Sequence, residues 1–248
     1  MKIIECSSGL MARLVEKSDY DGIWCSSLCH SASLGLPDSE LVTLQERVEL
    51  VKQIRRVSTK PIIVDIDTGG DIAHLPFIIK WFEDAGAFAV IMEDKRGLKQ
   101  NSLIEGAKQE LEDVDLFSEK IKVCKKTAKK MQIYARLESL IARKSKYEAV
   151  LRARAYMDAG VDGIMVHSKI KVDSTEVMEV ANEIRLIDKN ITLIAIPTTY
   201  ELPKKHPFDL IIYANHLTRA SIQAMQNYLD GKEVELAPVE KIFELCGK

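Results

Sequence analysis

The chain has 248 residues, 46% of them hydrophobic, enough for one well-filled core and close to the roughly 250 residues of a single (β/α)8 barrel. Its 35 basic and 37 acidic residues leave a net charge of −2 with no basic block, which argues against nucleic-acid and membrane-surface partners. The five cysteines form no Cys-x-x-Cys pair, the first residues turn polar too soon for a signal peptide, and no apolar run reaches the ~18 residues of a membrane span. A cytoplasmic protein with reduced thiols is expected.

Short Val/Ile-rich segments alternate with longer helical ones throughout. Strands are predicted over Lys2–Cys6, Gly22–Cys25, Ile62–Asp65, Ala89–Met92, Gln132–Arg136, Gly163–Val166, Thr192–Ile196 and Leu210–Tyr213. Most are continuous apolar runs, as parallel strands buried on both faces should be. Helices are predicted over Glu40–Val57, Leu75–Asp84, Ile104–Lys130, Lys146–Ala159 and Ser174–Leu186. Two of them run into Asp84-Ala85-Gly86 and Asp158-Ala159-Gly160, where glycine suits a helix C-terminus. This rhythm predicts an α/β fold: one (β/α)8 TIM barrel in a single domain. Pro203–Pro207 reads as a turn before the last strand. Thr218–Leu229 and Pro238–Leu245 read as further helices, and Ile222, Met225, Ile242, Phe243 and Leu245 face either the barrel or another subunit.

In a barrel of this type the C-terminal strand ends carry the active site. Here nearly every strand turns from apolar to polar at that end: Trp24-Cys25-Ser26-Ser27, Asp65-Ile66-Asp67-Thr68, Glu93-Asp94-Lys95, Arg136-Leu137-Glu138, His167-Ser168-Lys169, Pro197-Thr198-Thr199 and Asn215-His216. Such a set suits an anion bearing several oxygens. Asp65, Asp67 and Glu93 are hard oxygen ligands for Mg²⁺, which takes few direct carboxylates and keeps several waters. Mg²⁺ on Asp65 would polarise a carboxylate or enolate oxygen. Arg136 offers a fork of donors for a phosphoryl or carboxylate group, His167 adds a donor, and Ser26 with the amides after it could cradle the other end. Two structural readings compete: Arg136 as ion-pair partner of Glu138 or Glu93, and His167 as a core histidine. His30, His74 and His206 receive no role. Arg96 to Ser102 is polar and aperiodic and contains Gly97, which predicts a mobile lid.

The segments Gly22-Ile-Trp24-Cys-Ser26, Ser31-Ala-Ser-Leu34-Gly35, Asp65-Ile-Asp67-Thr68-Gly69, Glu93-Asp-Lys95, Lys99-Gln-Asn101-Ser102, Ala135-Arg136-Leu-Glu138, His167-Ser-Lys169 and Ala214-Asn215-His216 resemble, in order, the phosphoenolpyruvate mutase/isocitrate lyase superfamily. That resemblance implies a (β/α)8 barrel whose final helix is swapped between subunits, a homo-oligomer (dimer or tetramer), Mg²⁺ as cofactor, and 2-oxo acid ligands that pass through enolate-like states. Lyases of the superfamily carry a catalytic cysteine in the lid, whereas this lid, Lys95 to Ser102, has none. The implied reaction is therefore interconversion of phosphoenolpyruvate and phosphonopyruvate. Hydrolysis of phosphonopyruvate is the alternative, followed by another 2-oxo acid lyase or decarboxylase and by a non-catalytic barrel.

The resemblance also implies site roles. Asp65 ligates Mg²⁺, with Asp67 and Glu93 acting mostly through waters. The amides of Ser27 and Leu28 take the pyruvyl oxygens, and Arg136, His167 and Ser26 take the phosphoryl group. Lys99 and Asn101 reach in from the lid, and Trp24 and Ser102 complete the substrate-binding set. Asp38 aligns with an active-site aspartate, with a cap for the helix starting near Glu40 as its other reading. Leu98 stands where the family has proline, and Ser27 where it has glycine.

Overall fold

The structure, a computed structural model, describes residues 1–169 and 173–247. Eight parallel strands close in sequence order into a barrel: β1 (Lys2–Glu5), β2 (Gly22–Cys25), β3 (Ile62–Asp65), β4 (Ala89–Glu93), β5 (Gln132–Leu137), β6 (Gly163–Val166), β7 (Thr192–Ala195) and β8 (Leu210–Tyr213). β8 pairs with β1 through Ile212 and Ile3, which completes the ring. The strand limits match those expected from the apolar runs to within a residue. No helix among the described residues is long and apolar enough to cross a membrane.

Side chains alternate along each strand, so every second residue enters the barrel. Ile3, Trp24, Ile63, Ala89, Ile91, Tyr134, Met165, Ile194, Leu210 and Ile212 fill it as one apolar plug. The others, such as Val64, Val90, Ala135, Ile164 and Val166, face outward and pack under the helices in a larger cluster. Gly163 is required here: a Cβ would lie 2.7 Å from the Tyr134 ring and 2.9 Å from the Thr192 carbonyl oxygen.

The helices are α1 (Gly9–Glu16), α2 (Ser27–Ser33), α3 (Leu44–Arg55), α4 (Leu75–Asp84), α5 (Val114–Thr127), α6 (Lys146–Asp158), α7 (Thr175–Ile187), α8 (His216–Leu229) and α9 (Val239–Cys246). α1 and α2 were not expected; each is short and opens on a serine cap, Ser8 and Ser26. The helix predicted from Glu40 begins at Leu44, because Thr43 and Glu46 form a reciprocal capping box and Glu40 has a left-handed φ of 59°. The helix predicted from Ile104 begins ten residues later. Asp113 caps it by accepting from the amides of Asp115 and Leu116, and 103–113 stays with the lid, tied down by an antiparallel bridge between Lys95 and Leu111. Among the described residues the β7–β8 connection carries no helix.

α8 is seated by Glu5, the last inward residue of β1, whose carboxylate accepts from the Thr218 amide at 3.0 Å and its hydroxyl at 2.8 Å. Beyond that anchor α8 has no buried residue, and Ile222, Met225, Tyr228 and Leu229 are exposed. α9 returns to α1, where Lys17 pairs with Glu244 at 3.1 Å and Leu245 is buried.

Candidate active site

The alternation that fills the barrel also equips its rim. One step beyond the apolar plug, the inward positions are Ser26 after β2, Asp65 on β3, Glu93 on β4, Arg136 on β5 and His167 after β6. All five are buried. Four of them, all but Glu93, border a cavity of about 40 Å³. Trp24, Ser27, Leu28, Asp38, Lys99, Asn101 and Ser102 line it with Ser26, Asp65, Arg136 and His167, so every expected site residue faces it except Asp67 and Glu93. Thr198 and Asn215 complete the wall.

The lid lies closed. Leu98 points outward, 81% exposed, whereas Lys99 and Ser102 on either side of the turn are buried. Asn101 Nδ2 donates to Asp38 Oδ2 at 2.6 Å, so Asp38 belongs to the site, and the cap of α3 is Thr43. Lys99 Nζ lies 2.5 Å from Asp67 Oδ1, 3.2 Å from Asp38 Oδ1 and 3.9 Å from Asp65 Oδ2, and it bonds Ser27 Oγ. Asp67 has a left-handed φ of 51° and also receives Arg47 from α3. Burial alone would raise the Asp67 carboxyl, but Lys99 and Arg47 outweigh it and hold the group well below the usual carboxylate range.

The opposite wall is organised by Glu138, which enters two positions beyond Arg136. Its carboxylate accepts from Arg136 Nε at 2.5 Å and Ser102 Oγ at 2.7 Å, with His167 Nδ1 2.6 Å and Lys95 Nζ 3.3 Å away. The Arg136–Glu138 ion pair anticipated as the structural reading is therefore real, yet it lies inside the site and aims the guanidinium. Burial, then the Arg136 charge, lower the His167 pKa to about 4, so the ring is neutral near pH 7. His167 Nδ1 stands between an acceptor and a donor, 2.6 Å from Glu138 Oε1 and 2.9 Å from Arg136 Nη2. Behind Glu138, its amide donates to Asp94 Oδ1 at 2.7 Å, and Asp94 is held by Tyr156 Oη at 2.8 Å.

The sequence matches the family described as phosphoenolpyruvate phosphomutase over residues 3–231. This chain belongs to that family. A phosphoenolpyruvate phosphomutase of Tetrahymena pyriformis is 34% identical, with 99% of this chain and 86% of that protein aligned. The crystal structure of a phosphoenolpyruvate phosphomutase from Streptomyces platensis subsp. rosaceus superposes with a TM-score of 0.90 at 32% identity, covering 99% of this chain and 90% of that one. A phosphonopyruvate hydrolase solved in complex with oxalate and Mg²⁺ gives 0.86 at 30%, covering 99% and 89%. Kinship within the phosphomutase family thus extends to more than one reaction.

The family's Mg²⁺ can be weighed against the groups present. Both Glu93 carboxylate oxygens are buried without a hydrogen-bond partner among the described residues. Burial raises the Glu93 pKa to about 8, against the pull of Arg136, Lys99 and Lys95. With Asp65, the unpartnered Glu93 oxygens make a hard-oxygen set of the kind Mg²⁺ takes, and the residues present fit it. In the present side-chain arrangement no three His, Cys, Asp or Glu residues among those described converge as ligands, because the Lys99 ammonium stands among the carboxylates. Few direct ligands are compatible with Mg²⁺, which keeps its waters.

Sequence reasoning missed two contributors. Glu138 was visible as the next inward position after Arg136. Arg47 was not, since it reaches Asp67 from a helix and no local pattern marks it.

Proposed function

We propose that this chain is a phosphoenolpyruvate phosphomutase, a Mg²⁺-dependent isomerase that interconverts phosphoenolpyruvate and phosphonopyruvate. The observation that carries this reading is the neutral amide of Asn101, held by Asp38 under the lid and lining the same cavity as Arg136, Ser26 and a weakly basic His167. Transfer within one ligand needs the phosphoryl group to be held and water kept out, and no group is required to activate water.

In this reading Arg136, aimed by Glu138, holds two phosphoryl oxygens with its remaining N–H groups, and Ser26 and Asn101 take the others. The phosphoryl group leaves the enol oxygen of phosphoenolpyruvate as a loose, metaphosphate-like species and returns to C3. One P–O bond breaks and one P–C bond forms, with no net proton uptake. The amides of Ser27 and Leu28 hold the pyruvyl end. Mg²⁺ on Asp65, supported by Glu93, would supply positive charge for the developing enolate. Asp38, Asp65 and Asp67 each bond to an ammonium, amide or hydroxyl, and His167 with a pKa near 4 is a poor base at pH 7. That favours the mutase over the hydrolase, the second reading, which the 30% identical relative keeps open. The exposed apolar face of α8 supports a homo-oligomer as part of the same reading.

Incubation of phosphonopyruvate with enzyme and Mg²⁺, followed by phosphorus NMR, tests this. A phosphoenolpyruvate signal is expected. Inorganic phosphate would establish the hydrolase instead, and an unchanged spectrum would sink both.

A further inference from the structure

Asparagine is a strong helix cap, because its side-chain oxygen takes an amide of the first turn. Asn215 stands at the cap position of α8 and makes no such bond. The amide it would ordinarily take, that of Thr218, is taken by Glu5 from β1 at 3.0 Å. Asn215 has φ −153° and ψ 19° instead of the extended cap geometry, and its Oδ1 is buried with no hydrogen-bond partner among the described residues. A dry amide oxygen costs free energy, and the helix, capped from β1, does not need it. The residue is only 8% exposed and lines the cavity at the barrel mouth.

The surrounding wall tells what the amide would meet. Ile196 and Ala214 are apolar, so Asn215 and Thr198 supply the polar groups of the β7–β8 side. In the closed strand order β8 lies opposite β4, so Asn215 enters the mouth from the side away from Glu93. It stands between the strands that carry Ser26 and His167, which the reading above gives to the phosphoryl group. We propose that Asn215 is a further substrate-binding residue, whose carboxamide nitrogen donates to a phosphoryl oxygen. This rests on that reading of the ligand. A carboxamide carries donor and acceptor on one carbon, so a half-turn about Cβ–Cγ brings Nδ2 to where Oδ1 stands. As a neutral donor it holds the transferring group without offering a base to water.

Asn215→Ala and Asn215→Asp test this with two probes in Mg²⁺: turnover of phosphonopyruvate, and calorimetric binding of oxalate, which has no phosphorus. Asn215→Ala should lower kcat/KM for phosphonopyruvate roughly 10–100-fold and leave oxalate affinity within about 2-fold of wild type. Its ligand-free Tm should stay within about 2 °C, because Glu5 still caps α8. Asn215→Asp keeps the shape and is itself a good cap, so it should fold, and its charge should cost phosphonopyruvate more than the alanine does. Equal losses for both probes would place Asn215 away from the phosphoryl end and overturn the assignment. A Tm lowered by several degrees in both variants would overturn it too, by making the residue structural. A wild type that turns phosphonopyruvate over no faster than the variants overturns the assignment alone, whereas a wild type that leaves phosphonopyruvate unchanged overturns the reading of the ligand and the assignment with it.

Discussion

Glu93 is the residue whose burial has the sharpest thermodynamic consequence. Its pKa is raised to about 8 from 4.5, first by burial, so the folded state holds a proton that the unfolded state gives up. The contribution to stability is complete below about 4.5 and is lost as the pH rises towards 8. His167 runs the other way: its pKa falls from 6.5 to about 4, so its contribution is complete above 6.5 and is lost as the pH falls. Between pH 6.5 and 8 the Glu93 slope therefore stands clear. Over that window the metal-free protein should lose roughly 1–2 kcal/mol in urea unfolding, and Glu93→Gln should flatten the loss. A wild-type profile as flat as the variant's would contradict this. Asp65→Ala should lower turnover about 100-fold or more with little change in Tm, since Lys99 keeps Asp67 and Asp38. A Tm that drops sharply along with activity would mark Asp65 as structural. Most of these groups were legible because strand alternation repeats: Asp65, Arg136 and His167 follow from Ile63, Tyr134 and Met165 by counting two. The partner of Asp67 was not, since Arg47 lies on another element and nothing in its neighbourhood distinguishes it from a solvated arginine.

At the level of elements, the barrel strands were the most legible part and the helix starts the least. Long Val/Ile runs have one stable use in such a chain, whereas charged stretches suit a helix surface and a loop equally well. Residues 104–113 read as helix on that ambiguity; the Asp113 cap and the Lys95–Leu111 bridge decide for the loop. α1 and α2 are too short to show a helical period above the noise. α8 presents the opposite case, an amphipathic helix whose apolar residues beyond Leu217 find no cover among the described residues. Ile222, Met225, Tyr228 and Leu229 are each more than half exposed. If a second copy covers them, as proposed, the wild type should sediment as a dimer or larger. Met225→Glu, which places a charge in that face, should shift it towards monomer at micromolar concentration. A wild type that is monomeric at high concentration would refute the oligomer.

The molecule as a whole is a closed ring, and a ring opens at its weakest joint. β4 and β5 are paired from Ala89–Gln132 to Glu93–Arg136, and α5 and α6 pack against β5. β7 and β8 pair only through Ile194–Leu210 and Ala195–Ile211, and no helix lies in the chain between them. Ile211 and Tyr213, on the outward side of β8, are only half-buried. Closure of the barrel is thus uneven, and that unevenness has a time signature. Backbone amides of β7 and β8 should exchange with deuterated solvent through partial opening, well before the chain unfolds globally, while those of Ile133 and Ala135 on β5 should wait for the global event. Uniform protection around all eight strands would mean that the seam is no weaker than the rest.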